Sequence, residues 1–195
     1  PPTNGFQYGF EDAEPWTITD FSPCTIYDGD GQGTHGFQDN TFTNNGYTGS
    51  LIAFQGDWGD NAFPAHSGNA FGAFFNPGDA STENDWFILP EITIENGYVF
   101  SFWARELTDQ YNEYSAVGGE EFKVGVCSTS GTFSSYLAGD ASSAVVVSTT
   151  TWTQYSYNLS DYVGQTIKLA INCVSTDVFA LFIDDIFVGD PNAVP

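Results

Sequence analysis

Apolar and polar positions alternate with a period of two along much of the chain. Residues 97–105 set Tyr98, Phe100, Phe102 and Ala104 on one face and Val99, Ser101, Trp103 and Arg105 on the other, the pattern of a strand with one buried side. Residues 122–127 repeat it through Phe122, Val124 and Val126, and residues 166–173 through Ile167, Leu169, Ile171 and Cys173. Shorter segments at 6–10, 51–54, 70–76, 85–90, 145–147 and 153–159 also read as strands, with a brief continuation at 16–19; turn residues separate them. Residues 179–189 are almost wholly apolar, which predicts a central strand covered on both faces. One helical turn is expected at 159–164, capped by Ser160 or Asp161 and closed by Gly164. The long stretch 22–49 reads as loop, and a loop of that length in a compact domain is usually functional or held by something bound. These elements predict an all-β jelly-roll β-sandwich of two antiparallel sheets with long loops and no substantial helix. A single domain spans 1–195, with linker-like ends at 1–5 and 190–195.

Composition sharpens this picture. Among 195 residues there are 18 Phe, 10 Tyr and 5 Trp, which excludes a disordered acidic tail. The net charge is −22 although only 14% of residues are charged, because Arg105, Lys123 and Lys168 are the sole basic residues besides two histidines. Such a field repels nucleic acid and anionic membrane and attracts divalent cations, with a halophile's solvated surface as the alternative. No apolar run is long enough for a membrane span. Met is absent, so the chain reads as an excised domain or processed fragment of a larger protein. Cys24, Cys127 and Cys173 form no CxxC and hence no zinc or redox motif. Cys127 and Cys173 fall in predicted strands and could be bridged if those are neighbours, but two buried free thiols are the favoured reading.

Calcium is the sharpest chemical expectation. Asp28, Asp30 and Gln32-Gly33 match the first half of an EF-hand loop, and Asp39 stands at the twelfth position, where a bidentate acid is usual. Without flanking helices, this reads as a calcium loop in a β-protein; plain Asp-Gly turns are the alternative. Asp184 and Asp185 interrupt an apolar strand, and burying bare carboxylates is costly. Either they meet water or backbone N–H groups at a strand end, or a cation neutralises them. Carbohydrate binding is the second expectation. Trp58, Tyr47, Phe42, Tyr111 and Tyr114 lie in predicted loops as candidate sugar platforms, and Trp103 could be half exposed on its strand; Trp86 and Trp152 are assigned to the core. Catalysis is poorly supported. His35 and His66 have no metal-ligand spacing, no G-x-S-x-G elbow is present, and Glu120-Glu121 would point to opposite faces of a strand. Asn158-Leu159-Ser160 matches a glycosylation sequon but reads as the capped turn.

Several segments, in order, resemble one family: Phe10-Glu11-Asp12, Asp28-Gly29-Asp30-Gly31, the run from His66-Ser67-Gly68-Asn69 to Phe74, and Asn84-Asp85-Trp86-Phe87-Ile88-Leu89-Pro90. Phe100-Ser101-Phe102-Trp103, Phe122-Lys123-Val124-Gly125-Val126, Trp152, Leu159-Ser160-Asp161-Tyr162 and Ile183-Asp184-Asp185-Ile186 continue the likeness over nearly the whole chain. The chain is similar to cleaved-adhesin (choice-of-anchor J) domains of secreted Bacteroidota adhesins and gingipain-type proteases. The resemblance implies a jelly roll like MAM domains and several carbohydrate-binding modules, structural calcium, and binding or adhesion rather than catalysis. It also implies that Glu11 lies near Asp184 or Asp185 and shares an ion with them. The functional expectation is a non-catalytic, calcium-stabilised binding module of a secreted or cell-surface multidomain protein, with an extracellular protein or glycan as ligand. A carbohydrate-binding module attached to a hydrolase and a structural spacer are the alternatives.

Overall fold

The structure, a computed structural model, describes residues 5–107 and 119–193. Tyr111 and Tyr114 therefore lie outside the described residues. The first sheet contains β1 (Phe6–Tyr8), β3 (Ile52–Gln55), β4 (Ala70–Phe75), β7 (Val99–Glu106), β11 (Thr153–Asn158) and β14 (Ala180–Gly189). Its order is β11-β7-β14-β4-β3, and β1 pairs with the far half of β14. The second sheet contains β2 (Thr25–Asp28), β5 (Asp85–Ile88), β8 (Glu120–Thr129), β9 (Thr132–Ala138), β10 (Val145–Val147) and β13 (Leu169–Cys173). It runs β10-β8-β13-β5-β2, with β9 beside the second half of β8. A two-stranded ladder joins β6 (Ile92–Thr93) to β12 (Thr166–Ile167). Every pairing between these strands is antiparallel. This is a jelly-roll sandwich.

The period-two pattern decides which side chains meet between the sheets. Phe100, Phe102 and Ala104 of β7 pack there with Phe122 and Val124 of β8, Leu169 and Ile171 of β13, and Leu181 and Ile183 of β14. The strand β14 is central, as its apolar run predicts. Its other face carries Ala180 and Phe182, which join Ile52, Phe54, Phe71, Ala73 and Phe75 on the outside of the first sheet. Apolar side chains on an outer face need a cover. The polar-looking loops supply it: Phe37, Phe42, Tyr47, Trp58 and Phe63 fold back onto that face. Phe37 stacks on Trp58 with ring centroids 4.9 Å apart, and Phe42 packs between Trp16 and Phe54. The Tyr47 hydroxyl donates to the Ala73 carbonyl at 3.1 Å.

Three strands lie outside the predicted ones: β2 inside the 22–49 stretch, β6 after Pro90, and β9 after the end of β8. β2 and β6 are short, and β9 alternates exposed with partly buried positions beside β8 at the sheet edge, so none carries a strong apolar signal. Segment 16–19 forms no strand, although the Trp16 N–H donates to the Ala53 carbonyl and the Ala53 N–H to the Thr17 carbonyl beside β3. A single left-handed turn at Trp58–Asn61, with Gly59, Asp60 and Asn61 at positive φ, and a 3-10 turn at Ser160–Tyr162 are the helical elements among the described residues. The cap of the latter is Leu159, with the Asn158 side chain accepting the Ser160 N–H at 2.7 Å, rather than Ser160 or Asp161. Cys24, Cys127 and Cys173 are all free and buried. Trp86 is buried on the outer face of the second sheet against Phe133, while Trp152 is half-buried, its indole N–H donating to the Pro64 carbonyl.

Candidate functional site

The antiparallel pairing of β2 with β5 brings Asp28 opposite Asp85. Asp30 follows in the next turn, and the three carboxylates offer oxygens that all lie within 4.8 Å of one another. Local hydrogen bonds explain the turn. The Gly31 N–H donates to Asp28 Oδ1 at 2.6 Å, the Gln32 N–H to Asp30 Oδ1 at 2.8 Å, and the Asn84 N–H to Asp30 Oδ2 at 2.9 Å. Gly29 is packed so closely on Asn84 that a Cβ would meet its side chain and backbone at 2.5 Å. Glycine is therefore required for the turn to reach β5.

Asp85 is the acid that the sequence reading passed over as a candidate ligand. It is 2% exposed, and its Oδ1 has no hydrogen-bond partner among the described residues. Burial, then the charges of Asp30 and Asp28, push its carboxyl up to about 9. Its signal in the sequence is an acid opening an apolar strand, a position where a lone carboxylate is costly. Asp39 does not join the group. It is exposed, because the chain leaves the turn at Gly33 to cover the outer face of the first sheet instead of curling back to the twelfth position.

Glu11, Asp184 and Asp185 meet at one loop, residues 66–70. Glu11 Oε1 accepts the Asn69 and Ala70 N–H groups at 2.9 and 2.7 Å. Asp184, fully buried, accepts the His66 and Ser67 N–H groups on Oδ2 and that of Asp185 on Oδ1. Burial and the neighbouring Asp185 raise its carboxyl to about 8, against the opposing pull of these hydrogen bonds. Asp185 bonds His66 Nδ1 at 2.5 Å and the Ser67 hydroxyl at 2.7 Å. Adjacent strand residues normally face opposite ways. A register shift between Asp184 and Phe187, with Asp185 at φ +46°, brings both acids to the same loop. These three carboxylates hold the loop through N–H groups, a hydroxyl and an imidazole.

The same strands form a cleft of about 520 Å³ on the uncovered half of the first sheet's outer face. Ser101 and Trp103 from β7, Gln154 and Ser156 from β11, Gln7 from β1 and Asp185 from β14 line it. Trp103 pairs across the strands with Gln154, and Ser101 with Ser156. The half-exposed Trp103 ring stacks on His66 with centroids 3.9 Å apart, and Asp185 fixes that imidazole from behind. A flat indole bordered by amides and hydroxyls can stack on an apolar ring face and hydrogen-bond its rim. Of the ring candidates among the described residues, Trp103 alone lines this cleft. Tyr47 and Phe42 are buried, and Trp58 is half-buried in the aromatic cover. Their neighbours are Gly, Asn and Thr, which made them look exposed; the apolar outer face they cover becomes visible only when the sheet is assembled.

No protein-family model and no curated protein matches the chain. Solved structures do. The K2 cleaved adhesin domain of Lys-gingipain matches at TM-score 0.62 and 15% identity over 94% of this chain and 98% of that one. The K1 domain of Lys-gingipain from Porphyromonas gingivalis matches at TM-score 0.60 and 13% identity over 96% and 99%. The carbohydrate-binding module TmCBM61, solved in complex with β-1,4-galactotriose, matches at TM-score 0.53 and 15% identity over 93% and 94%. The chain thus has the jelly-roll fold of the gingipain cleaved adhesin domains, from end to end.

Proposed function

We propose that this chain is a non-catalytic binding module of a secreted or cell-surface protein, that it takes a glycan in the cleft at Trp103, and that calcium stabilises it. The cleft carries the reading: it joins a half-exposed indole, stacked on His66, to five hydrogen-bonding side chains on one sheet face. The fold neighbour solved with galactotriose supports a glycan as the occupant of such a sandwich. Catalysis finds little support. Hydrolysis of a glycosidic bond takes two carboxyl groups, and Asp185 is the one acid among the described lining residues. Ser67, His66 and Asp185 do meet, but the serine donates to the carboxylate rather than to the imidazole, so no base activates it. For calcium, Asp28, Asp30 and Asp85 offer an all-oxygen donor set of the kind this ion takes, and the orphaned Asp85 Oδ1 marks where a cation is wanted.

The test is a glycan array followed by calorimetry on the best binder. Trp103→Ala is expected to weaken binding by roughly 30-fold or more, the loss typical of a central aromatic contact. The melting temperature should stay within a few degrees of wild type. An array on which the wild type binds nothing, or binding that survives the substitution, contradicts the glycan reading.

A further inference from the structure

A second group of ligand-type side chains lies where β5 and β8 begin and β13 ends. Glu83, Glu120 and Cys173 are 0%, 1% and 0% exposed, and each offers a ligand atom within 4.8 Å of the others. One amide serves both acids: Asn76 Nδ2 donates to Glu83 Oε2 at 2.8 Å and to Glu120 Oε2 at 3.1 Å. Glu120 Oε1 accepts the Phe179 N–H at 3.0 Å, and the Cys173 thiol lies 3.2 Å from Glu83 Oε2. Glu83 Oε1 is left with no hydrogen-bond partner among the described residues.

Among the described residues no basic side chain is placed to neutralise this group, and the charge of Lys168 acts on Cys127 instead. The guanidinium of Arg105 sits over the rings of Trp152 and Phe182, and the Lys123 amine reaches the Ala141 carbonyl near the surface. The charges acting on Glu83 are those of Asp85, Glu120 and Asp30, all acidic. A sealed pocket with two carboxyls, a thiol and an orphaned oxygen is costly unless something positive completes it.

We propose that Glu83, Glu120 and Cys173 bind a thiophilic divalent transition-metal ion of the zinc class. The thiol decides the class. Calcium and magnesium take oxygen ligands, whereas zinc takes both thiolate sulfur and carboxylate oxygen. Binding would release the thiol proton, and any proton shared by the acids, to solvent as the ion enters. Asn76, hydrogen-bonded to both carboxylates, is the outer partner that orients them. The ion would pin three neighbouring strands of the second sheet to Asn76, which follows β4 of the first. Because the site is sealed, it fills as the chain folds. Ligands at 83, 120 and 173 have no motif spacing, which is why the cysteine pattern alone gave no sign of zinc.

Cobalt(II) is the probe, because thiolate ligation gives an intense near-ultraviolet charge-transfer band that an all-oxygen site cannot give. The whole chain is unfolded with chelator, refolded with excess cobalt and passed through a desalting column. The expected result is one tightly held cobalt per chain carrying that band, lost in Cys173→Ser and retained in Asp28→Asn. Retention in Asp28→Asn separates this site from the calcium site of the proposed function, whose failure would leave the band unchanged. A refolded wild type without the band overturns the proposal, and this arm needs no variant to fold. A band that persists in Cys173→Ser, and so arises from Cys24 or Cys127, also overturns it.

Discussion

Asp85 shows how one residue's environment sets the behaviour of this acidic chain. An ordinary aspartate ionises near pH 4, but burial beside Asp28 and Asp30 moves this one up to about 9, while Asp184 rises to about 8 and Glu120 to about 7. The sign of the consequence follows from proton counting. Between the unfolded and folded values the folded chain holds protons that the unfolded chain has released, so stability falls as pH rises through that window. The cation-free protein is expected to melt several degrees lower at pH 8 than at pH 5 in chelator. Net repulsion adds to the same trend, and substitutions separate the two contributions. Asp85→Asn should flatten the fall, whereas Glu91→Gln, which removes one exposed charge, should leave it as in wild type. A midpoint that is level or rising from pH 5 to pH 8 would show that these carboxyls are not held protonated by the fold.

At the scale of elements, the outer face of the first sheet is divided between two uses. Phe54, Phe71, Phe75 and Phe182 make one half apolar, and the 33–63 region closes over it with Phe37, Phe42, Tyr47, Trp58 and Phe63. The other half, around Trp103 and Gln154, stays open and polar. The long loop is therefore a packed cover, tied to the sheet by the His35 N–H on the Asn76 carbonyl and the Tyr47 hydroxyl on the Ala73 carbonyl. Phe42→Ala is expected to cost about 3–5 kcal/mol, the range for truncating a buried phenylalanine. It should also speed amide exchange in residues 34–48 while sparing the strands that line the cleft. Uniform exchange across the sandwich would deny the cover its local role. Much of this was legible beforehand: a strand apolar on both sides, as 179–189 is, requires a cover on each. What sequence alone left open was which segment provides the cover, because Tyr47 and Phe42 sit among Gly, Asn and Thr that signal exposure in any local window. Asp85 stayed hidden for a related reason. Its meeting with Asp28 depends on β2 pairing with β5, a contact between residues 57 positions apart that no spacing rule encodes. Asp28 and Asp30 were legible because the Asp-Gly-Asp-Gly turn is local; Asp39 joined them only by an EF-hand spacing that the chain does not follow.

For the whole molecule, the deciding quantity is the imbalance between a net charge of −22 and three basic side chains. Surface acids tolerate that in water, but Asp85 is buried beside the acids Asp28, Asp30 and Glu83 with no basic partner among the charges acting on it. The proposed cation at the Asp28–Asp30–Asp85 turn would resolve the conflict, and it would tie the edge strand β2 to the sandwich. The most direct measurement is a thermal melt of the chelator-stripped protein at pH 7, with and without excess calcium. An ion that binds the folded state alone must raise the midpoint. A clear calcium-dependent rise is expected in the wild type, with its disappearance in Asp28→Asn and Asp85→Asn. Equal midpoints with and without calcium in the wild type would contradict it, and the acids would then belong to a solvated surface that needs no ion.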